Sequence, residues 1–317
     1  MVRRYEVRPH TSTQFRIDYA RELNSAQLEA VEHFQGPCLC IAGAGTGKTR
    51  TLVYRVSRMI ESGVAPESIL LLTFTRKAAH EMLSRASDLG GASAMRVAGG
   101  TFHSFASRTL REFAGNLGYR PDFSILDEGD SCDILGLIRA ELGLNRKEVR
   151  FPRKETLRQI LSKSVNCGLS IETLVERDYD HFAEHLTEML KVFVQYDNYK
   201  KNHQMMDYDD LLIEMQTLLE QYRPVREQLA ERLRYVMVDE YQDTNRLQAR
   251  ITFLLGCAHR NVLVVGDDAQ SIYSFRGADY RNIHEFPTLF EGCRLVRLEE
   301  NYRSTNHILD ASNALME

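Results

Sequence analysis

The feature that most restricts this chain is an eight-residue run, Ala42-Gly43-Ala44-Gly45-Thr46-Gly47-Lys48-Thr49. It lies between an apolar stretch at 37–42 and a helical pattern at about 48–60. The run follows G-x-x-x-x-G-K-[ST] except that Ala42 fills the first glycine slot, which a tight turn tolerates if φ stays negative. Backbone N–H groups of such a loop, with the helix N-terminus behind them, favour an anion. Lys48 can then reach β- and γ-phosphates, and Thr49 can ligate Mg²⁺. The competing explanation is a glycine-rich loop with an incidental Lys-Thr. Three glycines in the five positions before Lys48 weigh against it, because glycine is about 7% of average composition.

Further short apolar stretches at 68–73, 96–98, 235–239, 261–266 and 294–298 alternate with helical patterns. That alternation predicts an α/β fold whose parallel sheet is covered on both faces. From about 107 to 204 the pattern turns helical, with Phe182, Leu186, Met189, Leu190, Phe193 and Tyr196 at helix-face spacing. We expect a RecA-like P-loop core carrying an inserted all-helical subdomain. The expected division is a core at 1–106 and 205–297, the insertion at 107–204, and the start of a further domain at 298–317. Residues 1–22 are polar and Arg-rich and read as a loosely packed lead-in.

A second chemical signal is Tyr235-Val236-Met237-Val238-Asp239-Glu240, an apolar strand ending in two carboxylates. A strand-end Asp holds Mg²⁺ in P-loop ATPases, and the neighbouring Glu can act as general base on a water. The plainer possibility is a solvated acidic strand end. The 191 positions between Lys48 and Asp239 exceed what a compact P-loop domain needs, which supports the insertion.

Composition narrows the partners. The formal net charge is −4, so any nucleic-acid surface must be a local patch. None of the six cysteines forms a C-x-x-C pair, and buried reduced thiols are expected. No apolar run approaches a membrane span, and residues 1–5 lack the apolar stretch of a secretory signal. A cytoplasmic protein with no membrane partner is the expectation.

The motifs together resemble, in order, those of superfamily 1 DNA helicases of the UvrD/Rep/PcrA type. Leu23-Asn24-Ser25-Ala26-Gln27 is similar to the Q motif, AGAGTGKTR from Ala42 to motif I, and LTFTRKAAHEM from Leu72 to motif Ia. GTFHS from Gly100 follows, then VDEYQDT from Val238 (motif II), GDDAQSIYSFRGAD from Gly266 (motif III) and LEENYRS from Leu298 (motif IV).

The resemblance implies ATP and Mg²⁺ as cofactors, and single-stranded and junction DNA as partners. It implies that Gln27 reads the adenine edge and Tyr302 stacks on the base. Ala42, Gly43, Ala44, Gly45, Thr46, Gly47, Lys48, Thr49 and Arg50 would surround the nucleotide, with Thr49 and Asp239 on the metal. Glu240 would activate water, Gln270 would sense the γ-phosphate and Arg303 would act as an arginine finger. Phe74, His103, Tyr273, Phe275 and Arg276 would form the DNA track. Taken singly, the aromatics could equally be core residues and His103 a structural histidine. Phe275 stands where the family often has Trp, and Tyr241 where it often has Phe.

Met206-Asp207-Tyr208-Asp209-Asp210-Leu211 also resembles a family segment, although its acids could simply cap the next helix. At 146–163, seven Lys and Arg stand against Glu148 and Glu155, either a solvated helix face or a patch for phosphates. The chain stops at Glu317, before the family's motifs V and VI and most of its second RecA-like domain. On this reading it is the front of a DNA-dependent ATPase and helicase motor, with 3′ to 5′ polarity implied by the family and little turnover by itself. The rival readings are a subunit of a RecB- or AddA-like helicase–nuclease and a non-catalytic, ATP-switched DNA-binding module.

Overall fold

A computed structural model describes residues 15–145, 151–274, 277–305, 307–309 and 314. Eight strands are present among them: β1 (Cys38–Ala42), β2 (Ile69–Thr73), β3 (Ala98–Thr101), β4 (Ser124–Ile125), β5 (Met205–Met206), β6 (Tyr235–Val238), β7 (Val262–Gly266) and β8 (Arg294–Leu298). Six of them form one parallel sheet in the order β3-β2-β6-β7-β1-β8. The fold is the expected α/β class. The run Ile69-Leu70-Leu71-Leu72 is buried throughout because each face of β2 has its own hydrophobic core.

On one face the helices Lys48–Glu61 and Arg76–Gly90 pack with Leu52, Val56, Met59 and Met82 against the sheet. On the other, the helices Phe102–Glu112, Tyr208–Gln221 and Arg246–Gly256 supply Phe102, Phe105, Leu212, Met215 and Leu254. Both faces must be covered, since an apolar strand left open would expose about 25 cal/mol per Å² of surface to water.

The expected third strand at 96–98 is displaced. Arg96 closes a 3₁₀ turn (Ala92–Arg96), and β3 runs through Gly99 and Gly100 instead. Glycine is a poor strand former, but here the missing side chain is what fits. A Cβ on Gly99 would lie 2.8 Å from Leu83 Cδ1, and Gly100 adopts φ 149°. The lead-in is also better packed than expected from residue 15 onward. Tyr19 is buried against Tyr54 and Val31, and Phe15 and Ile17 pack beside them.

β4 and β5 pair in parallel, Ser124 with Met205 and Ile125 with Met206. They bring the two ends of the intervening helical stretch side by side. That stretch includes the helices Glu128–Glu141, Lys154–Cys167, Ile171–Asp178 and Leu186–Asn202, and has its own core of Leu135, Ile138, Leu157, Ile160, Val192, Phe193 and Tyr196. Phe182, expected on the same helical face as Leu186 and Phe193, falls instead in a 3₁₀ turn (Asp180–His185), and the helix begins at Leu186. All six cysteines are free, but only Cys38, Cys40 and Cys132 are buried, and Cys257 is exposed. No helix among the described residues is long and apolar enough to cross a membrane.

Candidate functional site

The strands of a parallel sheet all point one way, so their C-terminal ends share an edge, and the motif residues collect there. β1 ends at Ala42, which has no positive φ and pairs with Leu298 of β8. Alanine in the first glycine slot therefore costs the turn nothing. The turn itself depends on Gly45 (φ 77°) and Gly47 (φ 90°), both left-handed. At Gly47 a Cβ would also meet Gln27 Nε2 at 2.7 Å. Thr46 Oγ1 donates to the Gly43 carbonyl at 2.8 Å, which draws the loop into a ring behind Ala44. Lys48 and the half-buried Thr49 open the following helix.

Across the edge, β6 delivers Asp239 and Glu240. Asp239 is buried, its N–H donates to the Leu72 carbonyl at 2.9 Å, and its Oδ1 has no partner. Burial, and then the charge of Glu240, push its carboxyl up to about 7. Glu240 holds φ 51°, an uncommon conformation for a non-glycine residue. Its Oε2 lies 3.3 Å from Lys48 Nζ. This is an ion pair without hydrogen-bond geometry, because the buried Nζ has no hydrogen-bond partner. Asp243 Oδ1 is likewise unpartnered, and burial followed by Glu240 raises its carboxyl to about 6.

Gln242, which the sequence reading passed over, joins this pair to the next strand. Its Nε2 donates to Glu240 Oε2 at 2.8 Å and its Oε1 accepts from the Asp267 N–H at 3.1 Å. Asp267 in turn accepts from Gln270 Nε2. Lys48, Glu240, Gln242, Asp267 and Gln270 thus form one connected series from β1 through β6 to β7.

No group of three or more His, Cys, Asp or Glu is placed to hold a metal among the described residues. Mg²⁺ in phosphate sites needs less, typically one or two protein oxygens with phosphates and waters completing its shell. The orphaned Asp239 oxygen and the Thr49 hydroxyl fit that requirement.

The remaining residues expected at the nucleotide sit around the loop. Gln27 is buried. Its Nε2 donates to the Thr46 carbonyl at 3.0 Å, and its Oε1 accepts from the Asn24 N–H at 3.3 Å in a capping box. Arg50 is turned to Glu22, reaching its carbonyl at 2.8 Å and its carboxylate at 2.9 Å. Tyr302 is 61% exposed, accepts from Asn24 Nδ2 at 2.9 Å and donates to Glu300 at 2.6 Å. The segment after β8 is pinned to the loop: Tyr302 N–H donates to the Gly45 carbonyl at 2.9 Å, and Asn301 Nδ2 to the Ala44 carbonyl at 2.6 Å. Arg303 is exposed, with its Cβ 2.6 Å from where a Cβ on Gly45 would stand. Asn24 was visible in the sequence as an N-x-x-Q cap. Asn301 lies within the quoted LEENYRS segment, where the resemblance gave it no role.

A cleft of about 690 Å³ opens beside this site, between the sheet edge and the helical stretch. Phe74 and Tyr273 stack across its wall with centroids 5.0 Å apart and planes 29° apart. His103 meets Tyr208 edge-on at 5.8 Å, and burial lowers its pKa. Asp243 lines the cleft as well, so one residue serves both edges of the site. Phe275 and Arg276 lie outside the described residues.

The far wall is built from the insertion. Asn166 donates to Asp209 at 3.0 Å and accepts from Asn245 Nδ2 at 2.7 Å, while Arg158 pairs with Asp209 at 2.9 Å. Of the described residues of the basic stretch, Lys154 bonds Asp133 at 2.6 Å and Lys163 bonds Asp178 at 2.7 Å, and Arg158 is held by Asp209. Its residues 146–150 lie outside the described residues. In the acidic segment, Asp207 caps the helix Tyr208–Gln221 and forms a capping box with Asp210.

Comparison with known proteins agrees with this arrangement. The chain is 35% identical over 298 residues to the ATP-dependent DNA helicase PcrA of Staphylococcus epidermidis, covering 94% of this chain and 40% of that protein. It is 34% identical over 296 residues to PcrA of Staphylococcus aureus, covering 93% and 40%. The chain thus spans about 40% of the length of the curated relatives it matches. The UvrD/REP helicase N-terminal domain family matches residues 23–291, most of the chain, and the protein belongs to that family.

Proposed function

We propose that this chain is the nucleotide-binding and single-strand-gripping part of an ATP-driven DNA helicase motor. The observation that carries the reading is the edge shared by Lys48, Asp239 and Glu240, where three charged groups are buried or half-buried without full partners. Buried polar atoms are normally satisfied. Leaving Lys48 Nζ and Asp239 Oδ1 open makes sense if phosphate oxygens and a divalent cation complete them.

In this reading the loop amides and Lys48 cradle the phosphates of ATP, and Thr49 and Asp239 hold Mg²⁺. The ion neutralises charge that develops on the phosphate oxygens. Lys48 leaves Glu240 for the phosphates, which frees that carboxylate to take a proton from water. Gln270, linked through Asp267 and Gln242 to Glu240, reports the γ-phosphate to the cleft. Arg303 and Tyr302 approach the nucleotide from the segment pinned on Gly45, with Gln27 and Arg50 beside the base. Residues 1–106 and 205–297 form the motor domain and 107–204 its helical insertion.

Single-stranded DNA runs through the cleft, where Phe74 and Tyr273 offer stacking platforms and His103 offers a polar contact; the family resemblance gives Phe275 and Arg276 to the same track. Phe74 and Tyr273 stack on each other, so a base enters only by parting them. In the whole protein, movement along the strand runs 3′ to 5′.

The test is Glu240→Gln. Nucleotide affinity should hold, and DNA-stimulated ATP hydrolysis by the protein carrying its complete motor should fall by about 10²–10⁴, the usual contribution of a general base. Unchanged hydrolysis would remove Glu240 from the chemistry.

A further inference from the structure

Arg55 is 2% exposed, although it carries a guanidinium. It stands in the middle of the helix Lys48–Glu61, which opens at the glycine-rich loop. Its Nη1 donates to the Ala30 carbonyl and, at 2.7 Å, to the His33 carbonyl. Its Nε has no partner, and no carboxylate faces it among the described residues. The titratable groups around it are Cys38, Cys40 and Tyr235, and burial pushes its pKa down to about 10. A buried cation without a counter-charge is unfavourable. A methionine would fill the same space without that penalty, so the two carbonyl bonds need an explanation.

Ala30 and His33 lie at the C-terminal end of the helix Ser25–Glu32. Carbonyls there carry partial negative charge and lack helical partners. The Phe34 N–H donates to the Glu32 carbonyl at 2.9 Å rather than back to Ala30, which leaves the Ala30 carbonyl to Arg55. At the other end of the same helix, Gln27 belongs to the capping box and its Nε2 donates to the Thr46 carbonyl of the loop at 3.0 Å. Asn24 beside it donates to the Tyr302 hydroxyl at 2.9 Å. One short helix is thus fixed at its start to the glycine-rich loop and at its end to the helix that the loop opens. Arg58 and Glu32 join the same two helices at 3.0 Å, but Glu32 is half exposed, where such a pair contributes little. Arg55 makes the attachment that water does not compete for.

We propose that Arg55 is a positioning residue for the choice of base: it fixes where the helix Ser25–Glu32 stands relative to the loop, and so where Gln27 meets the adenine. The inference rests on the reading that places Gln27 beside the base and the phosphates on the loop. It separates the two functions. The loop's own turn is set by Gly45, Gly47 and the Thr46 bond to Gly43, none of which touches Arg55, so the grip on phosphate does not depend on it.

The experiment measures by calorimetric titration the affinities of ATP, GTP and inorganic tripolyphosphate, each with Mg²⁺. The proteins compared are the unaltered chain, Arg55→Met, Arg55→Lys and Gln27→Ala. The unaltered chain should prefer ATP to GTP, and Gln27→Ala should remove that preference. Arg55→Met should reduce the preference about fivefold, the scale of one hydrogen bond lost from the base, with tripolyphosphate affinity unchanged. Arg55→Lys keeps a charged donor and should retain most of the preference. Combined with Gln27→Ala, Arg55→Met should have no further effect on the ratio, because it acts through Gln27. A purely structural Arg55 would instead weaken all three ligands together or leave the ratio unchanged, and either result overturns the inference alone. If Arg55→Met does not fold, Arg55→Gln keeps a donor for one carbonyl and is read by the same ratio; an undiminished ATP preference there overturns the inference too. An unaltered chain that binds ATP and GTP alike, or a Gln27→Ala variant that still prefers ATP, would sink the placing of Gln27 and this inference with it.

Discussion

The proposed nucleotide edge and the junction of the helical stretch with the helix Tyr208–Gln221 treat buried charge in opposite ways. At that junction Lys200 is almost fully buried, yet it meets Asp207 at 3.0 Å, Asp210 at 2.7 Å and Asp197 at 3.3 Å, with Tyr196 bonded to Asp207 at 3.0 Å. Those carboxylates hold the ammonium well above its ordinary pKa despite its burial, and Lys200 holds Asp207 below its own; burial and then the charge of Asp207 push Asp210 up to about 6, but Lys200 still bonds it. At the nucleotide edge, Asp239 is similarly buried but faces Glu240, a like charge, and its carboxyl is raised instead. The first arrangement is closed and satisfies itself. The second is open and needs something from outside. Binding function is thus legible as incomplete electrostatics, and structural charge as complete electrostatics.

The largest effect expected from this contrast is at the junction. Lys200→Ala leaves Asp207 and Asp210 buried without their cation, so stability should fall by about 3–5 kcal/mol, measured by urea unfolding. A loss near zero would mean the cluster is as open as the nucleotide edge, and the comparison would break.

At the nucleotide edge the sign should invert. Asp239→Asn removes a buried carboxylate that the fold does not satisfy, so without metal or nucleotide the variant should gain about 1–3 kcal/mol near neutral pH. The pH dependence follows from the raised carboxyl. Asp239 binds its proton more tightly folded than unfolded, so its contribution is favourable below about pH 4, the ordinary carboxylate range. That contribution is lost as pH rises through about 7. Melting curves from pH 4 to 8 should show that decline in the unaltered chain and a flatter profile in Asp239→Asn. Equal profiles would show that the carboxyl is not perturbed.

Tyr273→Ala probes the cleft between the two regions. Losing one stacking platform should weaken single-strand binding by about 1–3 kcal/mol, to a similar extent for different base compositions. A lowered melting temperature with undiminished DNA affinity would make Tyr273 a packing residue. The smallest effect belongs to Lys154→Ala. Lys154 is engaged with Asp133 at the surface, so both melting temperature and the salt dependence of DNA binding should stay unchanged. A flatter salt dependence would restore the phosphate patch suggested by the charge run at 146–163.

Much of the sheet was legible because its signals are local. β8 was expected at its observed bounds, and β1, β2, β6 and β7 within about a residue, since each is an apolar run between breakers. β3 was misplaced because Gly99 and Gly100 argue against a strand when read alone. Only Leu83, 16 positions earlier, explains why glycine is wanted there. The lead-in looked polar in sequence, yet Tyr19 is buried by Tyr54, 35 positions away. At the site, Gln242 and Asn301 were given no role, because their partners on Asp267 and Ala44 come from other strands and loops.

The sequence by itself determined the glycine-rich loop between β1 and its helix, the acidic strand end, the parallel sheet and the family. Each is written in contiguous residues whose backbone preferences and periodicity act over a few positions. Only the tertiary structure decided which charges remain open. Lys154, Arg158 and Lys163 look as free in sequence as Arg76 and Arg108, but folding gives the first three carboxylate partners and leaves the other two without one among the described residues. The reason is physical: whether a charge is satisfied depends on what lies within about 4 Å of it, and those neighbours come from distant parts of the chain.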